Sequence, residues 1–154
     1  MSGFIANASP TADGSVKNEP FWPDVDLDAL RKRMRLDGSV TGDRLREAAV
    51  AAMLSANDSL VNWRAGRQAA GYDSLDEVPG PAIDDVPRAV ALYLRAVRCG
   101  VGAELAERYR SYDATDGANQ RADDLAPSIS ELRRDMAWAL SDLQGLPRCT
   151  VELI

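Results

Sequence analysis

Apolar residues recur every three or four positions over several long segments of the chain, and this spacing constrains the fold more than any other feature of the sequence. Residues 41–70, 84–109 and 128–144 each carry such a pattern, and residues 26–36 carry a shorter one. The spacing is that of one face of an α-helix. We therefore predict an all-α fold, a bundle of four or more helices.

Residue types that begin and end helices support these boundaries. Ser128 and Glu131 have the spacing of a capping box, in which each side chain accepts a hydrogen bond from the backbone N–H of the other residue. Thr41 is a candidate N-cap for the second helix, and Gly38 and Gly145 are candidate stops. The first, second and fourth helices are therefore predicted to begin or end at these residues.

The third helix is expected to begin after Asp84 or Asp85, with Pro87 in its first turn. Gly100 and Gly102 fall inside it. A phosphate-binding loop would need a preceding strand and a following lysine, and the sequence shows neither. The two glycines are therefore interpreted as points of close contact with a neighbouring helix.

The apolar faces of the three longer helices predict the core. Small alanine side chains in the second helix favour close approach of a neighbouring helix axis. The residues expected to be buried are Leu45, Met53, Leu60, Val90, Leu94, Leu132, Met136 and Leu140.

The ends of the chain differ in composition from its helical middle. Residues 1–20 are rich in Ser, Ala, Asn, Gly and Pro and are predicted to form a mobile N-terminal arm. Residues 21–145 are then one helical domain, and residues 146–154 form an extended C-terminal tail. The domain begins with Phe21, Trp22 and Pro23, which either pin the arm to the core or serve as an anchor for a partner.

The last residues of the chain alternate in the manner of a β-strand, with Val151 and Leu153 on one face and Thr150 and Glu152 on the other. A single strand leaves its backbone N–H and C=O groups unpaired. The segment is therefore expected either to add as a strand to another molecule or to lie over the bundle as an apolar cap. Its residues are Arg148, Cys149, Thr150, Val151, Glu152, Leu153 and Ile154.

Composition argues against several classes of function. The 154 residues include no histidine, the commonest general base and metal ligand. The two cysteines lack C-x-x-C spacing and are expected to be reduced. A formal net charge of −6 argues against sequence-independent DNA binding. We expect no enzymatic activity, no metal, no cofactor and no membrane span.

Pairs of neighbouring carboxylates are the remaining candidates for chemistry, because such pairs can hold metal ions or transfer protons. They fall at predicted helix starts and in loops, where aspartate commonly caps a helix or faces solvent. They are therefore interpreted as structural: Asp84/Asp85, Asp113/Asp116 and Asp123/Asp124.

DNA binding is the strongest alternative function. Residues 30–54 contain two helical patterns around a glycine-containing turn, as in a helix-turn-helix, with a basic run at residues 31–35. Any hairpin of two helices shares this pattern, and acidic residues interrupt it. The alternative remains open on the sequence.

Six segments of the chain together resemble the head completion proteins, often called gpL, of temperate contractile-tailed phages. The resemblance lies in their order and spacing from about residue 20 to the C-terminus, and residues 1–20 contribute nothing to it. The segments are FWPDVD, RLDGSVTGDRLREAAVAAM, VNWRA, ALYLRAV, ERYRSYDAT and TVELI.

The resemblance implies a non-enzymatic virion protein of the head–tail neck, made in the host bacterial cytoplasm. Such proteins form a ring of identical subunits beneath the portal, close the DNA-filled head and offer a surface to the tail-joining, or tail-completion, protein. It further implies that residues 148–154 reach into the portal and bind it. Genomic DNA is then expected to pass through the ring without sequence-specific binding.

Overall fold

Helices dominate the residues that the structure describes, but two small antiparallel sheets accompany them. The computed structural model describes residues 12–109 and 127–148. Its helices are α1 (Leu27–Met34), α2 (Gly42–Ser59), α3 (Val61–Ala69), α4 (Arg88–Tyr109) and α5 (Ile129–Gln144). A 3₁₀ helix spans Leu75–Glu77, and the strands are β1 (Ser15–Val16), β2 (Val25–Asp26), β3 (Ala82–Ile83) and β4 (Val86–Pro87). The prediction of a helical bundle is confirmed, whereas its purely all-α character is not.

Helix α4 is the centre of the bundle. It packs most extensively against α5 and α2. Four of its side chains, Tyr93, Ala96, Val97 and Val101, are at most 1% exposed. Because α4 is covered on several sides, its apolar residues do not form the single narrow stripe of a surface helix.

The two glycines of α4 lie where its neighbours come closest. A Cβ atom on Gly100 would stand 2.9 Å from Cβ of Ala52 on α2 and 3.0 Å from Sδ of Met136 on α5. A Cβ atom on Gly102 would stand 3.2 Å from Cδ1 of Leu132. The interpretation of these glycines as packing positions is confirmed.

We predict that Gly100→Ala destabilises the protein, although alanine is the better helix former. The added methyl group must displace Ala52, and such overpacking costs about 1–3 kcal/mol. Gly66→Ala is the matched control. Gly66 also lies inside a helix, α3, but a Cβ atom added there would meet no heavy atom of a neighbouring residue within 4 Å. Gly66→Ala should stabilise by roughly 0.5–1 kcal/mol. Urea denaturation of both variants checks this, and the same sign for both would contradict the packing account.

The predicted core is correct in part. Leu45, Met53, Leu60 and Leu140 are at most 7% exposed. The other four are only partly buried, although those on α4 and Met136 still pack against the core. The most deeply buried residues of α4 include Tyr93 and Val97, whereas the predicted Leu94 is only partly buried. Helix α4 packs against both α2 and α5, so its buried face is not the single stripe on which the prediction was based. The partly buried residues are Val90, Leu94, Leu132 and Met136.

Helix ends follow the sequence signals at α5 and depart from them at α1. Ser128 and Glu131 form both hydrogen bonds of the predicted capping box. Gly145 ends α5 in the left-handed conformation, at φ 72°. Helix α1 ends at Met34, earlier than the predicted stop at Gly38, because Arg35 itself adopts φ 55° and its N–H bonds back into the helix.

The single helix predicted over residues 41–70 is two helices. The break is at Leu60, whose φ of −106° and ψ of 6° are not helical. Leu60 is fully buried. Residues 43–69 contain no proline, and their one glycine, Gly66, lies inside α3. No local sequence signal therefore marks the break. Leu60 is packed in the core at the point where α2 ends and α3 begins.

The start predicted for the third helix is also wrong. Asp84 and Asp85 form the two-residue turn of the hairpin β3–β4, in which Ile83 pairs with Val86. Both aspartates have positive φ, 53° and 58°. A type I′ turn requires this at both central positions, and aspartate tolerates it better than most side chains. Helix α4 therefore begins at Arg88, after Pro87 rather than around it.

Residues 12–20 depart from the predicted mobile arm. Strand β1 pairs with β2, and Val16 lies in the core at 6% exposure. The carboxylate of Asp13 forms an ion pair with Arg31. The backbone N–H of Asp13 donates to Oδ1 of Asp28. The earlier part of the predicted arm lies outside the described residues. Two-residue strands are too short for a periodic pattern, which is why composition suggested mobility here.

Candidate interaction site

The base of the C-terminal tail is fixed at the end of α5. The N–H of Leu146 donates to the carbonyl of Ser141 at 2.9 Å, and the N–H of Gly145 donates to the carbonyl of Asp142 at 3.2 Å. Together with the positive φ of Gly145, these bonds form a Schellman motif. The chain therefore leaves the helix in a defined direction.

Arg148 continues this arrangement by folding back onto α5. Its Nε and Nη2 donate to Oδ1 and Oδ2 of Asp142 at 3.0 and 2.6 Å. Its guanidinium carbon lies 5.1 Å from the ring centre of Trp138, and that of Arg134 lies 4.5 Å from the same ring. We call Trp138, Asp142 and Arg148 the tail clamp.

The ion pair of the tail clamp shifts the titration of both partners. Hydrogen bonding from Arg148 lowers the pKa of the Asp142 carboxyl below its usual value. Hydrogen bonding to Asp142 in turn raises the pKa of Arg148. The pair therefore stays ionised at neutral pH. The remaining predicted portal-binding residues, Cys149 to Ile154, lie outside the described residues.

The aromatic residues predicted as a plug or a partner anchor lie inside the protein. Phe21 and Trp22 are each 3% exposed, and Pro23 is half-buried. The Trp22 ring stacks on Tyr93 at a centroid distance of 4.8 Å, and the Phe21 ring meets it edge-on at 4.8 Å. Trp63 of α3 stacks further out at 6.4 Å. This is the arrangement expected of a plug; no observation tests a partner at this position.

A buried polar network that the sequence analysis missed holds the same segment. The hydroxyl of Tyr93 donates to Oδ1 of Asn57 at 2.6 Å and accepts from Nδ2 of Asn18 at 2.8 Å. Nδ2 of Asn57 donates to Oδ1 of Asn18 at 3.0 Å. Asn57 lies at helical spacing on the buried side of α2, so a polar residue in an apolar stripe was the available signal.

We predict that this network weakens at high pH. Burial raises the pKa of Tyr93 to about 12 from its ordinary value of 10.0. Because the folded state favours the neutral hydroxyl, its contribution to stability is complete below about pH 10, the pKa in the unfolded chain. This contribution is lost as the pH rises toward about 12, the pKa in the folded protein. Tyr93→Phe should cost about 1–3 kcal/mol at pH 8, because Asn57 loses its donor. Denaturation at pH 8 and pH 11.5 measures the difference in free energy of unfolding between the original chain and Tyr93→Phe. We expect this difference to be smaller at pH 11.5, and an equal difference at both pH values would contradict the prediction.

The basic run of α1 is partly turned inward. Arg31 pairs with Asp13 and donates to the backbone carbonyls of Asp37 and Val40 at 2.9 Å. Its guanidinium thereby joins the N-terminal segment to the turn before α2. Three cations of the run stay exposed, namely Lys32, Arg33 and Arg35. The pair α1–α2 is thus a helical hairpin whose turn is tied together by one of its own basic residues.

Several large apolar side chains are exposed on different elements. Val50 and Leu54 of α2 are 40% and 57% exposed. Ile83 of the hairpin β3–β4 is 83% exposed, and Val86 beside it is 40% exposed. Apolar side chains that are displayed together are candidate contacts for other proteins.

Little in the described ranges suggests a chemical site. Within residues 12–109 and 127–148, no cluster of acidic residues and cysteine could hold a metal ion. None of the helices in these ranges is long and apolar enough to cross a membrane. Cys99 is a buried free thiol whose pKa is raised by burial. Asp84 and Asp85 serve a turn, and the other predicted carboxylate pairs lie outside the described residues.

These features define a class of protein, a small and mainly helical protein with several large apolar side chains exposed on its surface. The chain belongs to the phage head completion protein (GPL) family, whose model matches residues 16–154. It is 41% identical over 153 residues to the head completion/stabilization protein of Escherichia phage P2, covering 99% of this chain and 90% of that protein. It is 23% identical over 142 residues to a probable head completion/stabilization protein of Haemophilus phage HP1, covering 92% and 93%.

No solved structure matches the chain. Family membership supports a structural role in phage head assembly and association with the virion. It also implies contact with other structural proteins of the head or tail. The family is a structural one and is not known as an enzyme.

Proposed function

We propose that this protein is a head–tail connector subunit that assembles into a ring beneath the portal. The ring closes the DNA-filled head at the neck and offers a surface to the tail-joining protein. Residues 148–154 attach it by adding a strand to a sheet edge of the portal. The observation that carries the proposal is a tail whose base is fixed by the Schellman motif at Gly145, in a chain of the head completion family.

Exposed apolar residues on different elements support self-association. A closed ring needs heterologous contacts, in which one face of a subunit meets a different face of the next. Val50 and Leu54 on α2 offer one such face, and Ile83 and Val86 on the hairpin offer another. Burying them between subunits would remove apolar surface from water.

The charge of the chain suits a conduit for DNA. A formal net charge of −6 should weaken adhesion to the phosphate backbone, so DNA can slide through at ejection. The exposed cations of α1, Lys32, Arg33 and Arg35, are the one described group that favours the alternative of a helix-turn-helix protein. In that case a defined operator would be bound at physiological salt.

Electron microscopy of virions that carry a tagged copy of this protein tests the proposal. We expect tag density at the neck, between portal and tail. Density elsewhere on the head would contradict the connector role. A tight, salt-resistant footprint of the purified protein on one duplex sequence would favour the regulatory alternative instead.

A further inference from the structure

We propose that Arg148 positions the tail and does not itself contact the portal. This inference rests on the proposed function, in which residues 148–154 attach the protein to the portal, and narrows the attached segment to residues 149–154. It removes Arg148 from the contact residues and assigns it, with Asp142 and Trp138, to the base from which the tail extends.

The guanidinium of Arg148 is already occupied within its own chain. Two of its N–H groups are used in a forked pair with both oxygens of Asp142, at 3.0 and 2.6 Å. Its flat face lies over Trp138 at 5.1 Å. A partner that needed this side chain would first have to break both contacts, so its use in a strand-addition interface is unfavourable.

The residues that receive Arg148 are themselves held. Nη1 of Arg88 donates to the backbone carbonyl of Asp142 at 3.1 Å, which ties this turn of α5 to the start of α4. Arg134 covers the Trp138 ring at 4.5 Å. The tail clamp is thus mounted on the rigid core rather than on a loop.

The clamp also sets the direction of the tail. Trp138 and Asp142 are one helical turn apart on α5, and both lie before the reversal at Gly145. Because Arg148 contacts both, residues 146–148 are held beside the last turns of α5. The tail therefore starts from one place and in one direction, which lowers the ordering cost of portal binding.

Binding of purified portal to matched variants tests the inference. Arg148→Gln removes both contacts and should weaken binding roughly three- to twentyfold. Asp142→Asn removes the ion pair alone and should weaken binding roughly two- to fivefold, and the double variant should be no worse than Arg148→Gln. Arg133→Gln is the control, because it breaks a different ion pair of α5, with Glu107, and should leave binding unchanged. Asp142→Asn is decisive: if Arg148 contacts the portal, freeing it should keep or strengthen binding, and that result overturns the inference.

A nitroxide label on Cys149, in a Cys99→Ala background, provides a readout that needs no portal. Label motion should be restricted in the otherwise unchanged chain and should increase in Asp142→Asn and in Arg148→Gln. Equal motion in all three would overturn the clamp. Deletion of residues 150–154 separates the two claims: unchanged portal binding after deletion contradicts the proposed function, whereas the label still reports on the clamp.

Discussion

Trp22→Ala should lower the free energy of unfolding by about 3–5 kcal/mol. Trp22 is 3% exposed, stacks on Tyr93 and meets Phe21 edge-on, so alanine leaves a large cavity where the N-terminal segment joins α4. This is a large share of a typical total stability of about 5–15 kcal/mol. Thermal denaturation should show a midpoint lower by roughly 6–20 °C.

Trp138→Ala is the matched control for this prediction. Trp138 is only partly buried, on the outer side of α5, and its ring contacts are two guanidiniums. The same substitution there should cost much less stability. Equal losses at the two positions would show that Trp22 does not serve as the plug of the core.

Deleting residues 150–154 should leave the fold intact and impair the virion. In the proposed function these residues pair with a sheet edge of the portal and contribute nothing to the bundle. Helical content and melting temperature should therefore change little. Infected cells should contain filled heads that leak DNA or fail to join tails, counted by electron microscopy of the lysate.

A proline at Val151 is a finer version of the deletion. Proline has no backbone donor, so Val151→Pro should act like the truncation if that N–H joins the portal sheet. The competing arrangement is an apolar cap over the bundle. In that case the deletion would lower stability in proportion to the lost burial, at about 25 cal/mol per Å² of apolar surface.

Local signals that involve neighbouring residues predicted the fold well. The capping box of Ser128 and Glu131 and the stop at Gly145 are as expected, because these groups satisfy backbone partners within one turn. The close-packing interpretation of Gly100 also holds. The helix ends depend on a few residues that are close in the sequence, whereas the contacts of Gly100 are with Ala52 and Met136 on other helices.

Features set by contacts between distant residues could not be predicted in this way. The break at Leu60 has no local breaker and coincides with burial of its side chain. The hairpin turn at Asp84 and Asp85 is a local feature, but it lacks the glycine that usually marks such turns. The link between Asn18 and Tyr93 spans 75 residues, so composition alone suggested a mobile arm where the chain is held.

The candidate site divides in the same manner. An alternating apolar pattern suggested a strand that binds another molecule, but it could not separate Arg148 from the residues after it. Only the structure shows that Arg148 is paired with Asp142 in the turn before it. The aromatic pair Phe21 and Trp22 was noted with two interpretations, a plug and a partner anchor, and its burial favours the plug.

The most direct test of the account is the affinity of purified portal for the full chain and for the chain lacking residues 150–154, with the melting temperature of each. We predict binding at least about tenfold weaker for the truncated chain, a loss of roughly 1.4 kcal/mol or more, at an unchanged melting temperature. Retained affinity together with a lower melting temperature would contradict strand addition to the portal and would identify the tail as a cap on its own bundle.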